Sequence, residues 1–206
     1  MEKRNGFTLI ETMVAMFMLS ITMAAFYSVY RMQTRSLKGQ ENRLQAQQTA
    51  RSALDFLVRE LRNARYNPAG EDDGDDCGDG VDGKPGIIAA TATTIHFSYD
   101  ADGDGDCDGV GENIKYSFAG KDITRTADGN DEVLTDENVK ENDGLTLAYF
   151  AQDGTPLTTF PLSAADRDSI KRVSITVKIE SNNMDDKFGG ALTATMTTNV
   201  DLRNPA

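Results

Sequence analysis

The sequence is poor in the residues that most enzyme and metal sites require. It contains one histidine, His96, and two cysteines, Cys77 and Cys107. A structural zinc site takes four nitrogen or sulfur ligands, so these three residues are too few to build one. His96 has no serine or cysteine partner in a catalytic pattern, and no loop has phosphate-binding glycine spacing. The sequence therefore predicts a protein that is not an enzyme, with His96 at the surface or in an edge strand.

Basic residues are scarce in the last two-thirds of the chain. From position 66 onward there are 11 Lys or Arg against 28 Asp or Glu, a net charge of −17, whereas positions 31–65 carry 8 basic and 3 acidic residues, or +5. Nucleic-acid binding rests on neutralising phosphates, so we expect no nucleic acid among the partners. Such an acidic region favours a solvated extracellular surface or the binding of cations.

Apolar residues are concentrated in one run of about 23 residues at positions 7–29, which is long enough to cross a bilayer as a helix. Glu11 lies inside this run. An acidic side chain costs roughly 2.5–3.5 kcal/mol at the middle of a membrane helix and less near its end. The presence of Glu11 in this run therefore requires a functional explanation. A secretory signal peptide cut near Ala24-Ala25 would leave Glu11 within its apolar core. A plain membrane anchor explains the length of the run but not Glu11.

The segment Lys3-Arg4-Asn5-Gly6-Phe7, followed by Glu11, resembles the leader and helix start of type IV prepilins and of type II secretion pseudopilins. The resemblance implies that a prepilin peptidase cuts after Gly6, that Phe7 becomes the N-methylated terminus, and that Glu11 meets the terminus of a neighbouring subunit. Residues 1–6 would be the leader. Residues 7–29 would lie in the inner membrane, with the rest in the periplasm, and would enter the core of a pilus or pseudopilus on assembly.

The helix is expected to continue to residue 66, because apolar residues recur at helical spacing and Pro68 disfavours helix in the residue before it. Gly39 is a weak point in this helix and a candidate bend. The segment from Ala50 to Ala64 resembles the helix end of PilW-type minor pilins and of the J-type minor pseudopilin of type II secretion. The predicted apolar stripe consists of Leu44, Ala50, Leu54, Leu57, Val58, Leu61 and Ala64.

Residues 67–206 are predicted to form a β-rich head, since polar and apolar residues alternate in several short segments rich in β-branched side chains. The expected fold class is α+β and type IV pilin-like: a long N-terminal helix, membrane-spanning in its first half, packed on an antiparallel β-sheet with Asp/Gly-rich loops. We predict strands at 94–99, 113–118, 122–126, 132–134, 144–150, 170–179 and 191–202, and a helical turn at 163–167.

Positions 100–109 alternate aspartate with small residues and are the most site-like part of the head. Ca²⁺ takes six to eight oxygen ligands, and the Asp-x-Asp-x-Asp-Gly start matches the first half of an EF-hand loop. The second half departs from it, because Gly111 holds the place of the bidentate glutamate and Glu112 follows one position later. A solvated acidic hairpin is the alternative. The predicted calcium ligands are Asp100, Asp102, Asp104, Asp106, Asp108 and Glu112.

The two cysteines lie in separate Asp/Gly-rich loops. Their even number fits a disulfide between Cys77 and Cys107 if the head leaves the cytoplasm, with two free thiols as the alternative. Such a bridge would draw the acidic residues near position 75 beside the candidate calcium loop.

The expected function is that of a minor type IV pilin, which primes pilus assembly and has a place at the pilus tip. Its expected partners are the prepilin peptidase, the inner-membrane assembly platform, the membrane itself, and other minor and major pilins or pseudopilins. Two alternatives stay open. One is a minor pseudopilin of a type II secretion system, and the other is a calcium-dependent tip adhesin, for which the acidic loops are the support.

Overall fold

The computed structural model of the chain describes residues 7–68, 85–105, 107, 109–135, 139–141, 143–180 and 193–204. These residues divide between Asn42 and Arg43 into two compact units, which are described separately. The described elements are α1 (Leu9–Leu61), β1 (Ile87–Ala90), β2 (Thr94–Ser98), β3 (Asn113–Ala119), β4 (Asp122–Ala127), β5 (Asn130–Val133), β6 (Leu145–Ala151), β7 (Pro156–Leu157), α2 (Ala164–Ser169), β8 (Ile170–Glu180) and β9 (Thr193–Asp201).

The part of α1 in the first unit is exposed along its apolar length. Every residue from position 7 to position 33 is exposed, and Phe17, for example, is 63% exposed. Hydroxyl groups in this stretch bond to the helix itself: Ser20 donates to the carbonyl of Phe17 at 2.7 Å, and Thr22 donates to that of Met18 at 2.8 Å. Such bonds satisfy a polar side chain where water is absent. This helical surface is therefore compatible with an apolar environment.

The part of α1 in the second unit is amphipathic and buries one stripe. Its buried positions recur every three or four residues, as a single helix face requires. Leu44 was predicted to belong to this stripe, but it is 59% exposed, so that prediction was wrong. The helix also continues through Gly39 without interruption. The buried residues of this part are Ala46, Ala50, Ala53, Leu54, Leu57 and Leu61.

Nine described strands form two antiparallel sheets, where the sequence had suggested one. The first sheet has the order β1-β2-β3-β4-β5, and the second has the order β7-β6-β8-β9. The β3–β4 hairpin turns at Gly120 (φ +69°), as predicted. The short strand β1 was not predicted. It places β2 and His96 inside the first sheet and not at its edge, and His96 bonds to the Asn113 side chain.

Both sheets and the buried stripe of α1 contribute to one hydrophobic core. Direct bonds also join β6 of the second sheet to the turn between β1 and β2 of the first: the Leu147 N–H donates to the Ala92 carbonyl at 2.8 Å, and the Tyr149 hydroxyl donates to the Thr91 carbonyl at 2.9 Å. Fully buried members include Leu61 of α1, Ile95, Phe97, Ile114 and Tyr116 of the first sheet, and Leu145, Val173 and Ile175 of the second.

The end of α1 differs from the prediction. The helix stops at Leu61, before the predicted boundary at residue 66, and the turn that follows ends at Arg65 with φ +65°. The buried Arg65 guanidinium donates to the carbonyls of Ile170 at 2.9 Å and Asp168 at 3.1 Å, where α2 passes into β8. Carbonyls at a helix end lack helical partners, so Arg65 supplies the missing donors. Burial lowers the pKa of Arg65 from its usual value.

Candidate functional site

The chain around the start of α1 holds two of the predicted assembly residues, Phe7 and Glu11. Phe7 precedes the helix and is 86% exposed, and Glu11 lies in the first turn. The Glu11 N–H donates to the Thr8 hydroxyl at 3.4 Å, while the Thr8 N–H donates to the Glu11 carboxylate, also at 3.4 Å. This reciprocal arrangement is a capping box, which satisfies N–H groups that a helix start leaves unpaired. Gly6 lies outside the described residues.

The capping box gives Glu11 a local role that the sequence prediction missed. The signal was present, because Thr8-x-x-Glu11 ahead of an apolar run is the usual pattern of such a cap. A negative charge near the start of a helix is also favoured by the helix dipole. Glu11 nevertheless remains exposed, so its carboxylate is accessible to a neighbouring molecule.

The loop between β2 and β3 gathers three of the predicted metal ligands. Asp100 and Glu112 are 0% and 1% exposed, and one ligand oxygen from each of them and from the exposed Asp102 lies within 4.8 Å of the others. Gly103 and Gly105 have φ values of +86° and +101°, which glycine adopts without strain. They donate their N–H groups to Asp100 Oδ1 at 2.6 Å and Oδ2 at 3.1 Å. The loop is thus wound around the Asp100 carboxylate.

Glu112 reaches this group although it lies one place beyond the twelfth position of an EF-hand loop. Its Oε1 accepts the Ala101 N–H at 2.6 Å, and its Oε2 accepts the Gly109 N–H at 3.0 Å. A Cβ atom at position 109 would lie 2.6 Å from Oε2, so the close approach of Glu112 requires glycine there. The shifted position of Glu112 therefore does not separate it from the first half of the loop.

Among the described residues, the group does not include the predicted ligand Asp104. Asp104 is exposed, and Asp106, Asp108 and Cys77 lie outside the described residues. Cys107 is 2% exposed and is not a free thiol. The bridge between Cys77 and Cys107 stays a prediction.

The sequence matches the family model for the prokaryotic N-terminal methylation motif over residues 1–27. The match includes Gly6, Phe7, Glu11 and most of the apolar run. This match supports a type IV prepilin-like protein. In a comparison with curated proteins, the chain has no significant match.

A prepilin-like N-terminus implies processing by a prepilin peptidase and assembly with other pilins. The helix α1 is long and apolar enough to cross a membrane, and none of its apolar window is buried in the protein. The motif and the helix together support anchoring in a membrane before assembly into a filament. The long apolar helix followed by antiparallel sheets confirms the predicted α+β, type IV pilin-like architecture.

A largely buried ion pair between α1 and the first sheet was not predicted. Glu60 of α1 accepts two bonds from Arg125 of β4, from Nη2 at 2.8 Å and from Nε at 3.0 Å, and the Tyr116 hydroxyl of β3 donates to the same carboxylate. The side chains of Arg125 and Glu60 are 19% and 17% exposed. Burial and the bond to Glu60 raise the pKa of Tyr116, and the bond to Glu60 raises that of Arg125. This cluster fixes α1 to the first sheet.

Proposed function

We propose that the chain is a minor type IV pilin, a non-catalytic subunit that primes pilus assembly and takes a place at the tip. The observation that carries the proposal is the motif match over residues 1–27, which coincides with an exposed apolar helix. The minor-subunit assignment is supported by the resemblance of the segment from Ala50 to Ala64 to the helix end of PilW-type pilins.

In the proposed mechanism, Glu11 moves from the membrane into the filament core during assembly. Before assembly, the apolar part of α1 holds the subunit in the membrane. Cleavage after Gly6 leaves a positively charged amine on Phe7. In the filament, Glu11 of one subunit pairs with the Phe7 amine of a neighbour, and both charges are neutralised away from water. Since an unpaired acidic group in lipid costs up to roughly 2.5–3.5 kcal/mol, the pairing favours transfer of the helix into the filament.

Mass spectrometry of the mature N-terminus tests the class of protein directly. We expect a chain that begins at Phe7 and carries a methyl group on its amine. A chain that begins near Ala25 would identify a conventional signal peptide, and an intact Met1 would identify an unprocessed anchor. Either result would contradict the proposal.

Three substitutions separate the assembly role of Glu11 from its capping role. Glu11→Ala removes both the charge and the cap, Glu11→Gln keeps a side chain that can cap but removes the charge, and Thr8→Ala weakens the cap but keeps the charge. We expect both Glu11 variants to be lost from sheared pili while the membrane-bound subunit persists, and Thr8→Ala to assemble. Normal incorporation of Glu11→Gln would show that the charge is not required.

A minor pseudopilin of a type II secretion system is supported by the same N-terminal features. Deletion of the gene distinguishes the two roles. Loss of surface pili with normal protein secretion supports the minor pilin. Loss of secretion with normal piliation supports the pseudopilin.

We also propose that the β2–β3 loop binds Ca²⁺, which would make the head a calcium-dependent tip module. The support is the buried pair Asp100 and Glu112 beside Asp102. Glu112 Oε1 accepts the N–H groups of both Ala101 and Asp102, whereas Oε2 accepts one amide bond among the described residues and keeps a second lone pair. Oxygen donors are what Ca²⁺ prefers. The metal would supply positive charge to offset two buried carboxylates. Extracellular modules bind calcium at about 10⁻⁴–10⁻³ M, so a weak site suffices outside the cell.

Calorimetric titration of the full chain in detergent with calcium tests this proposal. We expect a binding heat and a raised melting temperature at millimolar calcium, both lost in Asp102→Asn. Asp102 is the suitable position because it is exposed, whereas Asp100 holds the loop together. Asp122→Asn, in β4 outside this group, makes the same charge change elsewhere and is the control. The absence of both heat and thermal shift in the parent chain would exclude the site.

A further inference from the structure

One groove of the second unit carries a charge opposite to that of most of the head. It lies between α1 and β9 as two adjoining hollows of about 770 and 510 Å³, which share Arg51, Thr195 and Met196. Leu54 and Val58 of α1 add apolar surface to it. The charged residues that line the two hollows are Arg43, Arg51, Arg59, Arg62, Arg203 and Asp55.

The arginines of this groove are exposed and lack partners within the described part of the chain, in which none of the five makes an ion pair or a side-chain hydrogen bond. By contrast, Arg125 is paired with Glu60, and Arg172 is paired with Asp201 at 2.7 Å. Several unpaired positive charges around one groove, in a chain of net charge −12, produce a local field that attracts an acidic partner.

The second feature of the groove is the edge of a sheet. β9 is the last strand in the order β7-β6-β8-β9, and β8 is its one strand partner among the described residues. With nine residues it is long for an edge strand. An edge of this kind presents unpaired N–H and C=O groups to which another strand can add.

The hydrogen bonds of β8 show which residues of β9 face the open edge. The Lys178 N–H donates to the Gly144 carbonyl at 2.7 Å, on the β6 side, so the backbone of Lys178 points away from β9. Lys178 is the register partner of Thr195. Since backbone direction alternates along antiparallel strands, Thr195, Thr197 and Asn199 direct their N–H and C=O groups to the open edge.

We propose that this groove binds an extended acidic segment of another polypeptide chain, which adds to the second sheet as a strand beside β9. Its backbone bonds to the outward-facing N–H and C=O groups of Thr195, Thr197 and Asn199, and its acidic side chains lie against Arg51 and the other groove arginines. A phosphate ligand would use the arginines but would leave the strand edge unpaired, so a polypeptide uses more of the groove. This inference is independent of the assembly role proposed for residues 7 and 11.

The test measures peptide binding to the full chain in non-ionic detergent, by the fluorescence anisotropy of a labelled peptide. The probe is a peptide of about nine residues that alternates Glu with Val, long enough to cover β9. We expect it to bind, and to bind more weakly as salt rises. An alternating Lys–Val peptide should bind at least tenfold more weakly because its charge is wrong. An alternating Glu–Pro peptide should also bind at least tenfold more weakly, because proline lacks the N–H that strand pairing needs.

Hydrogen exchange on the parent chain distinguishes strand addition from a purely ionic contact. The amides of Thr195, Thr197 and Asn199 have no partner in β8, so they should exchange quickly in the free chain and slowly with the Glu–Val peptide bound. Slow exchange without the peptide, or no change on binding, would overturn the proposal. This measurement requires no substitution.

Two variants and their controls complete the test. Arg51→Glu reverses a groove charge, and Thr195→Pro removes an open-edge N–H at a position where proline leaves the bonds to β8 intact. Each should weaken peptide binding at least tenfold. Lys115→Glu makes the same charge change at an exposed position of the first sheet, and Thr195→Val keeps the N–H; neither should alter binding.

Equal losses in Arg51→Glu and Lys115→Glu, or unchanged binding in Arg51→Glu, would overturn the proposal. A second copy of the chain is the other conceivable occupant. Analytical ultracentrifugation that detects a dimer, broken by Thr195→Pro and not by the Glu–Val peptide, would assign the edge to self-association and would contradict an acidic partner.

Discussion

The two parts of α1 form one continuous helix but place their apolar residues in different ways. In the first unit, Phe17, Leu19 and Phe26 are all exposed, at 63%, 59% and 69%. In the second unit, Leu57 and Leu61 are 2% and 0% exposed, and the charged residues lie on the remaining faces. Apolar residues all around a helix require an apolar environment outside the chain, whereas a single stripe is covered by the chain's own sheets.

One helix therefore has two parts with different requirements: the first needs an apolar environment outside the chain, and the second packs on the chain's own sheets. The stability of the head should depend on the second part of α1 alone, and membrane or filament contacts should depend on the first. Substitutions in one part should therefore leave the property of the other part unchanged. The predictions below test this separation.

The largest effect is expected from Leu57→Ala. Removal of a fully buried leucine side chain from a core costs about 2–5 kcal/mol, through lost burial and the cavity left behind. We expect denaturant unfolding of the head, followed by tyrosine fluorescence in detergent, to show this loss. Leu19→Ala is the matched control, and it should leave the unfolding of the head unchanged. A similar loss in both variants would refute the separation.

Glu60→Ala should destabilise the head by roughly 1.5–3 kcal/mol, because Arg125 and the Tyr116 hydroxyl lose their shared acceptor in a largely buried setting. Glu132→Ala is the control. Glu132 also lies near Arg125, at 3.9 Å, but it is 64% exposed, so its removal should change little. Equal effects of the two substitutions in urea unfolding would show that burial does not set the strength of this cluster.

Alkaline pH should weaken the second unit through its buried tyrosines. Burial raises the pKa of Tyr149 and, together with Glu60, that of Tyr116 above the usual value of 10.0. The folded state therefore holds these protons longer than the unfolded state does. Their stabilisation is complete below pH 10 and is lost as the pH rises above it, by up to about 1.4 kcal/mol per pH unit for each tyrosine.

Thermal unfolding between pH 9 and pH 11.5, followed by circular dichroism, measures this slope. Tyr149→Phe should reduce the loss of stability per pH unit by the contribution of one buried tyrosine. Tyr27→Phe, in the exposed part of α1, should leave this slope unchanged. An unaltered slope in Tyr149→Phe would show that this buried hydroxyl is not responsible.

The smallest effect is expected from Gly39→Ala. Position 39 lies within α1, and a Cβ atom there would meet nothing within 4 Å. Alanine should therefore stabilise the helix by up to about 1 kcal/mol without a clash. We expect a small gain in helicity by circular dichroism, with urea unfolding of the head unaltered. A loss of helicity would indicate that glycine serves a bend that the continuous helix does not show.

Local patterns predicted much of this fold. The β3–β4 hairpin was placed within one residue of its observed ends, because its alternation and its glycine turn lie within a short segment. The helical turn at 163–167 was confirmed as α2, capped by Ser163. The strand β1 was missed because Ile87–Ala90 has four residues without polar alternation. The division into two sheets depends on pairings between distant segments, which local periodicity does not contain.

The candidate sites show the same limit. The Thr8–Glu11 cap spans four residues and was readable in the sequence, although it was not recognised. Glu60 and Arg125 are 65 positions apart, and nothing near either residue indicates the other. The approach of Glu112 to Asp100 depends on the path of the loop through Gly109. Sequence spacing alone therefore suggested that Glu112 was displaced from the ligand position of an EF-hand loop, whereas the structure brings it beside Asp100.

The end of α1 has a mechanical consequence. Glu60 bonds to β3 and β4 of the first sheet, and five residues later Arg65 bonds to the start of β8 in the second. Tension along this end of the helix would therefore be shared by two sheets and would not peel a single strand from an edge. The side-chain bonds at both attachments would have to yield together before the helix could leave the core. A subunit held only by its helix would be loaded in this way whenever its filament is pulled.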